Sequence, residues 1–400
     1  RRVLEYDSQH FGAHEQLGVL FSIEGRNWES RPHLMMLVRS GRYDGGQLLM
    51  LGTTENVFQD EDTQFLVDCM TAVPDDPLPL LSRGRSALLH NRNRDAEIIF
   101  RKIVTANPHQ LEAQGRLGRL LAEESTTEFL VWVKNLPKDK DDDLKPAPDE
   151  HPEIWFAYGL VAKKMGQNRA AVRCFWEAVS INPNHTASNY QLAQLLNSLG
   201  KPDLAKPFAE RAKRLSKLDF LLNDVPDSVE TVQEIVEFSE ALGRDWEATA
   251  WSHLALQIDS KLEWPRQCLL RLHTQLRGMI AMTRNDANPC GHVDLSKYPL
   301  PDWDEKPPGE SSSPKIPPIV NQVRFVNLAA KAGLNFRHFN GEDPKDDRAY
   351  MFEFSGGGIA ILDYDGDNWP DIYLTQGTSW PQRPGNKKYR DRLFRNLGNG

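Results

Sequence analysis

The chain has 400 residues, room for two or three domains, and its 40% apolar and 26% charged content is that of an ordinary globular protein. A formal charge of −8 weighs against nucleic acid or an anionic membrane surface as the main partner. The four cysteines (Cys69, Cys174, Cys268, Cys290) are scattered without a CxxC pair, and no apolar run approaches the ~18 residues of a membrane helix.

The first two-thirds carries a helical pattern that repeats about every 34 residues. Residues 1–8 read as the end of a second helix, so the stack is expected to extend beyond the first residue. Residues 11–44 follow (Leu17-Gly18, Gly25, Leu34, Leu37), then 45–76 (Leu51-Gly52, Cys69, Pro74), two residues short. Residues 77–110 offer Gly84, Ala96, Phe100, Ile103 and Pro108. Residues 111–151 begin with Leu117-Gly118 and then diverge into the charged stretch PKDKDDDLKPAPDEH. The clearest unit is 152–185, with Trp155, Tyr158-Gly159, Ala162, Ala171, Phe175, Ala178 and Pro183. Residues 186–219 keep the register through Leu192-Ala193, Gly200, Ala205 and Ala212, and a weaker unit at 229–262 has Gly243, Ala248 and Ala255. The small residues let one helix approach the next, and the proline ends the second helix.

These offsets resemble the tetratricopeptide family over about residues 1–260. The resemblance implies an α-solenoid of helical hairpins whose concave face binds a protein or peptide partner, without catalysis. A plain spacer is the alternative. In the best unit the expected groove positions are Phe156, Leu160 and Lys163, which lack the Lys/Asn set that clamps a C-terminal carboxylate in chaperone-binding members. A co-chaperone role is therefore not expected. The DKDDD run at 139–143 lacks a glycine and interleaves lysine, so it reads as a solvated loop.

Helical periodicity stops at 285. Eight prolines between Asn285 and Pro318 favour extended conformations and mark a linker, so the division is solenoid 1–284, linker 285–320 and a β segment 321–400. Cys290 and His292 form a lone Cys-x-His without a second ligand pair.

Beyond the linker Ile359 and Ile361, then Ile372 and Leu374, alternate with the two-residue period of strands. Between them lies DYDGDNWPD. Two unit charges about 6 Å apart repel by ~0.7 kcal/mol in water and more in protein, so inward-pointing carboxylates need a cation. Asp363, Asp365, Asp367 and Asp371, with the backbone carbonyl of Trp369, stand at positions 1, 3, 5, 9 and 7 of a tight turn. Such hard oxygen donors suit Ca2+ better than the stricter octahedron of magnesium. Leu374 at position 12 excludes an EF-hand, which needs a glutamate there and flanking helices.

The stretch GGGIAILDYDGDNWPDIYLTQG resembles the calcium-binding blade of FG-GAP/VCBS, integrin-type β-propellers. FVNLAAKAGLNFRHFNG (325–341) and DRLFRNLGNG (391–400) narrow the likeness to the cartilage-acidic-protein-like family, ASPIC/UnbV. Gly366 and Asn368 depart from its usual glycine after the third aspartate. The resemblance implies a first propeller blade, further blades beyond Gly400, and an exported protein: periplasmic, cell-surface or secreted. A fragment of a longer chain is therefore expected.

No GxSxG, HExxH or Walker-type motif occurs, and the glycines at 356–358 lack the lysine of a phosphate cradle. His338 in FRHFN is assigned a structural role. The leading expectation is a non-enzymatic interaction protein with a solenoid groove and a calcium-stabilised second surface. Two others stay open: an enzyme whose catalytic residues lie beyond Gly400, and a cytoplasmic assembly scaffold.

Overall fold

The computed structural model describes residues 2–53, 64–73, 76, 78–137, 150–223, 226, 228–304, 329, 331–340, 356–365, 369–378 and 389–397. The acidic run 139–143, residues 305–320 and 325–328, and Gly366, Asp367 and Asn368 lie outside the described residues. The chain divides into two units, residues 1–313 and 314–400.

The first unit is helical. A short α1 (Arg2–Tyr6) precedes α2 (Phe11–Ile23) and α3 (Asn27–Arg39), then α4 (Gly45–Gly52) and α5 (Gln64–Ala72). Hairpins follow: α6 (Leu80–Leu89) with α7 (Asn93–Ala106), α8 (Leu111–Glu124) with α9 (Thr126–Asn135), and α10 (Pro152–Lys164) with α11 (Asn168–Ile181). Then come α12 (Thr186–Ser198) with α13 (Pro202–Leu221), α14 (Val229–Ala241) with α15 (Asp245–Ile258), and a last helix α16 (Glu263–Leu276) that the repeat register did not include.

Several hairpins close because a glycine on the first helix admits a large side chain from the second, whereas α12 and α14 contain no glycine. A Cβ at Gly84 would lie 2.6 Å from Phe100, and Gly118 and Gly159 meet Trp132 and Phe175 in the same way. The turns need a left-handed residue, supplied by Gly25, Gly166, Gly200 and Gly243; in the α6–α7 turn Asn91 stands there at φ 56°. Buried residues recur at helical spacing, as Ala96, Phe100 and Ile103 in α7.

Three apolar cores run along the stack. One joins α8–α10 to α6–α7, and another packs α10–α13 around Phe175 and Phe208. The third is not sequential: Leu34, Leu37, Val38, Leu48 and Leu51 pack with Leu215, Leu218, Ile235, Val236 and Trp251. The second helix of the first hairpin thus shares a core with repeats nearly two hundred residues on.

The solenoid does not stop at 284. Residues 283–304 run back over the hairpins as a strap, read largely through its carbonyls: Arg211 donates to Ala287 O (2.8 Å), Trp176 Nε1 to Val293 O (2.7 Å) and Gln167 to Asp302 O (2.7 Å). Val293 and Leu295 are buried in the solenoid core, and the Trp303 ring meets Phe129 and Tyr158. Cys290 donates its thiol to Trp176 O at 3.6 Å, and burial pushes that thiol up to about 12. The segment expected as a linker from 285 is docked to Asp304, because donors on α11 and α13 satisfy its extended backbone.

The second unit has a three-stranded antiparallel sheet, β1 (Ile359–Leu362), β2 (Asp371–Leu374) and β3 (Arg392–Phe394), in that order. Ile361 pairs with Ile372 and Ile372 with Phe394, so Ile359, Ile361, Ile372, Leu374 and Phe394 share one face. On β1 that face is open, with Ile359 68% and Ile361 71% exposed.

Candidate functional site

Two places gather chemistry: the turn between β1 and β2, and a polar seam along the solenoid.

In the turn, Asp363 follows β1 and Asp371 opens β2, so the antiparallel pairing of Leu362 with Asp371 brings the ends of the loop together. Asp363, Asp365 and Asp371 each present a carboxylate oxygen, all within 4.8 Å of one another. Three of the four expected carboxylates therefore lie close together, Asp363 and Asp365 exposed and Asp371 buried; Asp367 lies outside the described residues, and Trp369 is 51% exposed. Asp371 is fully buried. Its Oδ1 accepts from Asn396 N (2.7 Å) and its Oδ2 from Tyr364 N (2.9 Å), and these two N–H groups hold its carboxyl below the usual range. Arg395 Nε lies 2.5 Å from Asp365 Oδ2, so part of the required positive charge comes from the chain itself. Sequence spacing could not reveal Arg395, which stands thirty residues away, just after the strand β3 that register brings alongside. The donor set, hard carboxylate oxygens with spare lone pairs, fits a calcium ion. His338 lies beneath Gly357, where a Cβ would come 2.8 Å from its Nδ1.

The seam is built from the starts of successive first helices. Gln110, His151 and His185 are the N-caps of α8, α10 and α12, accepting from Glu112 N, Glu153 N and Ser188 N. Glu112 and Glu153, one turn in, face the cap of the next hairpin: His151 Nε2 lies 3.5 Å from Glu112 Oε2, and His185 Nε2 3.0 Å from Glu153 Oε1. Arg116 bridges the two carboxylates at 3.1 Å and 3.8 Å. Against the upward push of burial, Arg116 and His151 bring Glu112 down to about 2, and Arg116 and His185 hold Glu153 well below its usual range.

Helix α3 lies across this seam. Gly25 O accepts from Arg85 (2.9 Å), Glu29 from Gln110 (3.1 Å), Trp28 meets the His151 ring at 5.6 Å, and Arg31 Nη1 donates to Asn182 Oδ1 (3.3 Å). Farther on, Arg244 donates to Gly52 O and Tyr43 to Ala250 O. Residues 25–52 so touch five successive hairpins.

The groove positions expected from sequence are altered accordingly. Phe156 is buried, with the Arg119 guanidinium over its ring at 5.2 Å, and Lys163 donates to Gln191 (3.0 Å). One open cavity lies one hairpin earlier. A cavity of about 300 Å3 between α6 and α8 is lined by Arg85, Leu88, Leu89, Arg116, Arg119 and Glu123, among others.

Residues 152–185 and 186–217 match the tetratricopeptide repeat family. These segments are tetratricopeptide repeats, and they coincide with the α10–α11 and α12–α13 hairpins. No curated protein matches the chain. Among solved structures, the crystal structure of the APC/C hetero-tetramer Cut9-Hcn1 is similar at 14% identity with a TM-score of 0.25, over 62% of this chain and 53% of that one. The chain thus spans about half of that protein, and a likeness at that score carries no argument.

Proposed function

We propose that the protein is a non-enzymatic interaction scaffold, in which the solenoid holds a protein partner and a calcium ion stiffens the β unit. The observation that carries the first half is the pair of matched repeats, whose hairpins build a surface suited to recognition. Because α3 covers the seam, the partner surface is the concavity between α6 and α8. Leu89 is 55% exposed there, and Arg119 and Glu123 stand at its rim. An extended segment with an acidic side chain against Arg119 and an apolar one on Leu89 fits that lining.

For the second half, Asp363, Asp365 and Asp371 would hold the ion, with Asp367 and the Trp369 carbonyl supplying the donors that the spacing implies. The convergence of three carboxylates supports this reading. The bound ion supplies positive charge; the chain's own residues set the turn, Asp371 by its two backbone hydrogen bonds and Arg395 by its pair with Asp365. A modest-affinity calcium site suits an exported protein, the compartment in which a first blade of an FG-GAP/VCBS, ASPIC/UnbV-like propeller is expected.

Calorimetric titration of the full chain with calcium tests the metal. Binding heat and a raised melting temperature are expected in millimolar calcium, both lost in Asp365→Ala; a wild type that shows neither overturns the assignment. For the partner surface, Leu89→Glu should lower recovery of the co-purified partner at unchanged melting temperature, and Arg119→Gln should lower it as well. Undiminished recovery with both moves the surface elsewhere.

A further inference from the structure

The seam contains a cavity of about 20 Å3, lined by Trp28 and Arg31 of α3 together with Glu112, His151, Glu153 and Asn182 among others. Among the described residues, three deeply buried polar atoms of its lining residues, Arg31 Nε, His151 Nε2 and Glu153 Oε2, lack a hydrogen bond of ordinary geometry, the nearest partner of His151 Nε2 being Glu112 Oε2 at 3.5 Å. Arg31 is 5% exposed, His151 2% and Glu153 4%. Leaving such atoms unsatisfied is costly, so a partner is required. The volume suits one water, which needs roughly 10–15 Å3 of such space and two to four polar partners.

We propose that this cavity binds a single water molecule that pins α3 to the solenoid, making α3 the resident ligand of the seam. The donor pattern is complete. His151 Nδ1 accepts from Glu153 N at 3.3 Å, so the neutral ring carries its proton on Nε2. The water accepts from Arg31 Nε–H and His151 Nε2–H and donates to Glu153 Oε2. An ion is disfavoured by charge, because the lining balances Arg31 and Arg116 against Glu112 and Glu153. Burial, with Arg244 adding repulsion, pulls Arg31 down to about 10, as befits a cation with few direct partners.

The water has a job that the apolar contacts cannot do. Leu34, Leu37 and Val38 bind α3 strongly but without direction, so its register rests on polar contacts: the direct bonds of Glu29 with Gln110 and Arg31 with Asn182, and the water beside them. A node of fixed donors and acceptors sets one register, the best-attested use of buried polar groups. The consequence is that the seam is already occupied, and an outside partner must use another surface.

Two measurements on the full chain decide the matter. A high-resolution crystal structure should show one water bonded to Arg31 Nε, His151 Nε2 and Glu153 Oε2; a chloride or other ion there, or side chains collapsed to close the space, overturns the proposal. Hydrogen exchange of Arg31→Met, which keeps length and removes the donor, should be ~10–100-fold faster in α3 than in the parent, with α16 unchanged. Equal or slower exchange in α3 overturns the pinning role. If this variant does not fold, the crystallographic outcome still decides.

Discussion

The two units stabilise their acidic groups in opposite ways. In the solenoid, Glu112 and Glu153 are 4% exposed and enclosed by arginine and histidine from neighbouring repeats. In the β unit, Asp363 and Asp365 sit at the rim of a sheet whose first strand is exposed along its length, with Arg395 as a half-exposed counter-ion. A buried carboxylate must find its partners inside the fold or cost several kcal/mol, whereas a rim carboxylate is screened by water and leaves a coordination position for a mobile ion. The contrast separates a structural charge cluster from one open to a ligand.

The largest effect should come from the solenoid core. Phe175→Ala removes a fully buried ring beneath Gly159 and is expected to cost about 3–5 kcal/mol in denaturant unfolding. Glu153→Ala should cost about 3–5 kcal/mol as well, because it leaves Arg116 and His185 facing a vacated buried site. A loss under 1 kcal/mol would show that bulk solvent reaches Arg116 and His185, contrary to their burial.

Acid should act on the solenoid through the same groups. The folded value of Glu112, about 2, lies below its ordinary 4.5, so its contribution to stability is fully present above pH 4.5 and is lost as pH falls toward 2. Glu153, also depressed, adds to the loss on the same side. Helical circular dichroism followed from pH 6 to pH 2 should fall over that window, and an Asp365→Ala background should leave the midpoint unchanged.

Calcium should act on the other unit alone. At a free concentration ~100-fold above Kd, the ion should stabilise the β unit by about 2.7 kcal/mol with no shift in solenoid melting. Exchange protection gained in α10–α13 instead would contradict this separation. The smallest effects belong to the sheet surface: Ile361→Ala, at a side chain 71% exposed, should change stability by no more than about 0.5 kcal/mol. A larger loss would mean that β1 is covered in solution.

Much of this was legible in the residues because the signals are local. Gly84, Gly118 and Gly159 announce close helix approach, Gly200 and Gly243 announce turns, and Ile359, Ile361, Ile372 and Leu374 alternate as strands do. Pairing through an antiparallel turn also made the convergence of Asp363, Asp365 and Asp371 readable. Phe156 misled, because its helix position faces a groove in an isolated hairpin but lies under Arg119 in the stack. The proline-rich segment reads as a linker because extended backbone looks alike in a linker and in a docked strap; the facing donors Arg211, Trp176 and Gln167 distinguish them.

The sequence alone determined where the hairpins and strands fall and which carboxylates share a turn, since periodicity, glycine and short-range spacing act within a few tens of residues. Tertiary structure decided what lies against what at long range: residues 25–52 across five hairpins, the strap over α11, Arg395 beside Asp365. Those choices depend on complementary shape and charge between segments far apart in the chain, and no local pattern encodes them.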